Sequence, residues 1–153
     1  MNRMLVFISV LIFIIYNSCY SSDNPRYDST LAARLGADDY GMKSYHLVIL
    51  KTGTAVNLPK NVIDSCFRGH LANITRLVDE GKLIVAGPLA KNDNNYRGIF
   101  ILNLSEKEET EKILQSDPAI SNKLLGYDIY HWYGSAALSE YLDYADKIWK
   151  LKP

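Results

Sequence analysis

The sequence predicts an α+β sandwich: a four-stranded antiparallel sheet under one helical layer, with a further helix at the C-terminus. Three observations carry this. Four short runs are rich in β-branched and aromatic residues. Two segments between them place apolar residues at helical spacing. The resulting order is βαββαβ.

The first strand is read over 45–51 (YHLVILK), bounded by Thr52-Gly53. Pro59 suits the first turn of a helix, and Ile63, Phe67, Ile74 and Leu77 continue it at helical spacing until Gly81 caps it. The second strand is 82–89 (KLIVAGPL), followed by a polar turn over 90–96. The third is 97–104 (RGIFILNL). A short Asn/Asp loop between two strands makes an antiparallel hairpin. Both strands are apolar at nearly every position, so both sheet faces need cover. One helical layer covers one face, and a second subunit is the simplest cover for the other.

Ser105 and Glu108 form a capping box for the second helix, which stops at Asp117-Pro118. Asp117 is placed to cap a short turn that follows. The fourth strand is 127–133 (YDIYHWY). Residues 139–151 form a last amphipathic helix with Tyr141, Tyr144, Ala145 and Ile148 on one face. This βαββαβ order is the ferredoxin-like arrangement.

The N-terminus reads as an address. Arg3 gives a basic start, and residues 4–16 are apolar. As a helix these span roughly 20 Å, too short for a hydrocarbon core of about 30 Å. That is the layout of a signal peptide, with a retained membrane anchor as the alternative. Ser18-Cys19 resembles a lipoprotein processing site, which would leave Cys19 lipidated. The expected division is a signal segment 1–19, a polar arm 20–43 that is extended with one short helical turn, a domain 44–134 and a helical extension 135–153. The chain is expected to be exported, as a periplasmic or outer-membrane-associated protein. Its only membrane tie would be a lipid on Cys19. With Cys19 lost or lipidated, Cys66 stands alone and no internal disulfide forms.

Charge excludes one class of partner. The 153 residues carry 17 Lys and Arg against 17 Asp and Glu. Nucleic-acid binding relies on a basic face, and this balance supplies none.

His70 is the residue that invites chemistry. Phe67, His70, Ile74 and Leu77 step by three and four, so an imidazole shares the stripe that faces the sheet. Read alone, it is a core histidine satisfied by a carbonyl. Asp117, read alone, is a helix cap. In this arrangement both helices pack on one sheet face, so the two residues are able to converge. A carboxylate on one imidazole nitrogen fixes the tautomer and makes the ring more basic, which leaves the other nitrogen as a general base.

The segments GHLANITRLVDEGKLIVAGPL (69–89) and QSDPAI (115–120) resemble the YCII-related domain family, over about residues 44–134. The resemblance implies a ferredoxin-like fold pairing into a dimeric α/β barrel, and a His/Asp dyad at His70 and Asp117. It also implies chemistry on small cyclic or aromatic compounds, of dehydrochlorination or isomerisation type.

Gly87 and Pro88 end the second strand, where a missing side chain opens space for a ligand, or simply marks a strand end. Arg97 nearby is placed to hold an anionic substrate, or to be a solvated hairpin residue. Cys66 and His70 at i, i+4 fit a nucleophilic pair. Cys66, His70 and Asp117 could supply three metal ligands, but no dense ligand motif supports a metal, and with no phosphate loop or oxidative-cofactor motif in the sequence no cofactor is expected either. His46, His131 and the aromatic cluster of Tyr127, Tyr130, Trp132 and Tyr133 read first as sheet or interface residues. The sequons at Asn73 and Asn103 are discounted. The resulting expectation is a homodimeric lyase or isomerase for a small organic ligand, with His70 and Asp117 catalytic and Gly87, Pro88 and Arg97 at the substrate. The alternative is a non-enzymatic ligand-binding or assembly module with a structural His–Asp pair.

Overall fold

The computed structural model describes residues 24–150. The signal segment 1–19, Cys19 and residues 151–153 lie outside the described residues.

The predicted strand and helix order is present. Strand β1 spans Met42–Thr52, helix α2 Lys60–Asp79, β2 Leu83–Pro88, β3 Tyr96–Leu102, α3 Lys107–Gln115, α4 Pro118–Ser121 and β4 Leu125–Ser135. The four strands make one sheet in the order β2-β3-β1-β4, every pair antiparallel. That is the ferredoxin-like topology. Gly81 follows α2 at φ +67°, where a side chain would be strained, and it ends the helix as expected.

The described part of the arm before β1 carries one short helix, where a helical turn was read. Helix α1, Ser29–Leu35, is capped by the Asp28 carboxylate, which accepts from the Leu31 N–H at 2.9 Å. β1 begins at Met42, inside the stretch read as arm. The capping box at Ser105 is also corrected. Glu106 occupies the cap position without a side-chain bond, and the Ser105 hydroxyl turns to the Glu106 carboxylate instead.

Directly opposite residues in an antiparallel pair share a face. Val48 pairs with Phe100 and Ile129, and Leu50 with Gly98 and Tyr127. These residues lie under the helices. Val48, Leu50, Phe100, Leu102, Leu77, Leu83, Leu114, Ala119 and Ile120 form the core. The buried line of α2 is Cys66, His70, Asn73 and Leu77. The expected stripe is therefore rotated slightly: Phe67 sits at the rim, 36% exposed, and Asn73 takes an inward position.

The opposite sheet face carries an apolar row, with Leu47, Ile49, Ile99 and Ile101 half-buried and Tyr130 exposed, beside the Lys51–Asp128 ion pair at 2.7 Å. One end of it is covered by the chain itself. A 3-10 helix, Ala136–Tyr141, leads into α5, Leu142–Ile148, where one continuous helix was expected. The Tyr141 hydroxyl donates to the Ile84 carbonyl, so this segment crosses from edge strand β4 to edge strand β2. Tyr45 is sealed beneath it, with its hydroxyl on the Ser135 carbonyl at 2.8 Å and its ring 5.5 Å from that of Trp132. Arg34 of α1 clamps Glu140 through two bonds of 2.9 and 3.2 Å. The rest of the apolar row has no cover from the described residues.

Candidate active site

The site is built where α2, α3 and α4 meet. α4 starts because Asp117 precedes Pro118: proline suits the first helical position, and the carboxylate caps the turn. Asp117 Oδ1 accepts from the Ala119 N–H at 2.9 Å and from Ile120 at 3.4 Å. Its other oxygen points at α2. There Oδ2 meets His70 Nδ1 at 2.8 Å and accepts from Asn73 Nδ2 at 3.1 Å. Asp117 itself is 0% exposed.

These four contacts decide the protonation. Burial alone pushes the Asp117 carboxyl up, but the His70 ring, the Asn73 amide and the Ala119 N–H together outweigh it and hold it below its ordinary value. The group is a carboxylate, which only accepts. His70 Nδ1 must then donate, and in the neutral ring Nε2 carries the lone pair.

Nε2 makes no hydrogen bond among the described residues, and no fully buried side-chain nitrogen or oxygen there lacks a partner. Nε2 therefore touches solvent, although the residue is only 9% exposed. The ring is held flat against Phe100, centroids 5.8 Å apart, and edge-on to Phe67 at 6.3 Å. An imidazole fixed on three sides, with one free nitrogen, can accept or deliver a proton at a single place.

Asn73 was missed as a site residue by the sequence reading, which saw only a sequon. The signal that could have found it was its spacing of three from His70, which puts both on one face. Its carbonyl oxygen accepts from Arg76 Nη2 at 2.6 Å, and that bond orients the amide nitrogen toward Asp117.

The remaining predicted positions are not gathered here. Gly87 pairs with Ile99, and His70 stacks on Phe100, which pairs with Ala86. Gly87 therefore faces the side of the sheet opposite His70. The register shift in β2 between Leu83 and Val85 sets this parity. A methyl group at Gly87 would meet nothing within 4 Å. Pro88 is exposed at the end of β2, and Arg97 is exposed beside the β1–β3 bulge. Cys66 is buried as a free thiol, and the His70 Nδ1 bond goes to Asp117 instead. Among the described residues no three His, Cys, Asp or Glu side chains converge as metal ligands. His46 is buried and bonded to the Thr110 hydroxyl at 2.7 Å, as a sheet residue would be.

No family model matches the chain, and no curated protein matches it. Among solved structures it is similar to 5-chloro-2-hydroxyhydroquinone dehydrochlorinase from Burkholderia phenoliruptrix AC1100, in complex with 2,5-dihydroxybenzoquinone. Identity is 19%, with a TM-score of 0.40, over 57% of this chain and 92% of that one.

Proposed function

We propose that the chain is a small-molecule enzyme of lyase or isomerase type, with His70 as acid and base and Asp117 as the group that orients it. One observation carries the reading: a buried, fully bonded carboxylate holds Nδ1, and Nε2 is the ring atom left to solvent. Nε2 takes a proton from an activated C–H, and the electron pair stays on the substrate. The imidazolium, stabilised by Asp117, then returns that proton to another carbon or to a departing group. The YCII-like segments support a small cyclic or aromatic substrate.

A structural pair is the second reading, and one observation favours it. Three surface hollows of about 440, 370 and 320 Å³ are lined by other residues, none by His70. Deuterium exchange separates the two. Small cyclic and aromatic acids incubated in heavy water are followed by proton NMR. The enzyme reading expects wash-in at one C–H, slowed about 100-fold or more by His70→Asn with the fold intact. Equal exchange in both proteins, or unfolding of the variant, supports the structural pair.

The proposal extends to a homodimer closed through the uncovered sheet face, in a dimeric α/β barrel. Its support is the row Leu47, Ile49, Ile99 and Ile101. Ile99→Asp is expected to turn the dimer into a folded monomer in sedimentation. A wild-type monomer at high concentration overturns this. The same proposal takes residues 1–19 as a leader and the mature protein as exported, which the intact mass of the membrane and periplasmic fractions tests.

A further inference from the structure

The wall of the groove between α2 and α3 has a charge pattern that the dyad does not use. The groove holds about 440 Å³ and is lined by Asn73, Arg76, Lys82, Glu109, Lys112 and Ser116, with Ile113 beneath. Three cations thus face one carboxylate in a chain with no net charge. Glu80, just outside, takes Arg76 Nη1 at 2.6 Å. Lys82 is held only loosely, 3.5 Å from Glu80 and 3.7 Å from Glu109. Both distances exceed those of charge-assisted hydrogen bonds. Lys112 has no carboxylate within ion-pair distance among the described residues.

We propose that this groove binds a small dianion, the phosphate or paired carboxylates of a metabolite, and that its occupancy reaches His70 through Asn73. The volume suits a small molecule. Lys82 and Lys112 supply point charges, and Arg76 has donors beyond the two it uses. The relay is short. Arg76 Nη2 holds Asn73 Oδ1 at 2.6 Å, and Asn73 Nδ2 bonds the same Asp117 oxygen that holds the His70 ring. An anion that draws the guanidinium toward itself loosens Asn73 and leaves Asp117 Oδ2 more fully to His70. Binding here does not depend on His70 being catalytic.

The test titrates the full mature protein with inorganic phosphate and, separately, with succinate, by calorimetry at low ionic strength. Saturable binding of one anion per chain is expected. Preference for phosphate identifies a phosphate ligand, and preference for succinate a dicarboxylate. Lys112→Gln should weaken binding about fivefold to tenfold. Lys107→Gln, on the same helix but 3.7 Å from Glu111 and not lining the groove, should not. The His70 ring-proton signals should move along the same isotherm. No saturation with either anion, or equal weakening by both lysine variants, overturns the site. A His70 signal that stays fixed at saturation overturns the relay.

Discussion

Asp117→Asn is expected to move the proton on His70 from one nitrogen to the other and to lower stability by about 2–3 kcal/mol. The carboxylate now accepts on both oxygens, from α4 through Oδ1 and from His70 and Asn73 through Oδ2. An amide has one acceptor. If that acceptor keeps the α4 cap, an NH2 group stands where Oδ2 was, facing two donors. His70 can resolve its share by giving up the Nδ1 proton and carrying it on Nε2, so the exposed nitrogen becomes a donor and general-base chemistry stops. Asn73 has no such remedy, because Arg76 fixes its orientation. Nitrogen-15 shifts of the His70 ring report the tautomer, and urea melts report the stability. An Nε2 lone pair that persists in the variant would show that Asp117 does not set the tautomer. Asp117→Ala removes the cap as well and should cost about 3–5 kcal/mol.

The same carboxylate gives the protein an acid limit. Its native value lies below its ordinary one. Its contribution is therefore fully present above the unfolded carboxylate range, about pH 4, and is lost as pH falls through the lower native value. Asp117→Asn cannot lose it, so the stability gap between the two proteins should narrow in acid.

What was legible in the sequence was what repeats along the chain. Runs such as 45–51 and 97–104 announced strands because they are short, apolar and rich in β-branched residues. The spacing of His70 and Leu77 turned the imidazole inward. Asp117 was readable because a cap before Pro118 is local chemistry. The rest depends on partners far along the chain. Asn73 matters only because Arg76 and Asp117 flank its amide. The break in the last helix answers to Tyr141 reaching Ile84, 57 residues away. Gly87 was assigned to the site because its missing side chain leaves space where the second strand ends. A one-residue shift in β2 decides its face, and a shift of one residue exchanges the faces of a strand.

Two glycines test whether helix packing sets the dyad. Gly69→Ala would, on an exposed helix, stabilise by about 0.5–1 kcal/mol. Here the added methyl would lie 2.7 Å from Pro118 Cγ and 3.2 Å from its Cβ. The proline ring cannot rotate aside, and α4 is pinned by the Asp117 cap and by Ala119 and Ile120 in the core. Relief requires α2 and α4 to part, which draws Asp117 away from His70, one residue along from the clash. The expected result is a loss of about 1–3 kcal/mol, opposite in sign to the helix preference. His70 should also lose its Asp117 contact, seen as slower deuterium wash-in and a changed ring tautomer signal. Gly87→Ala is the comparison, because its methyl would meet nothing within 4 Å and should change stability by no more than about 0.5 kcal/mol. If Gly69→Ala were the more stable protein with the dyad unchanged, α4 would be free to slide on α2, and the 2.8 Å contact could not owe its geometry to that packing.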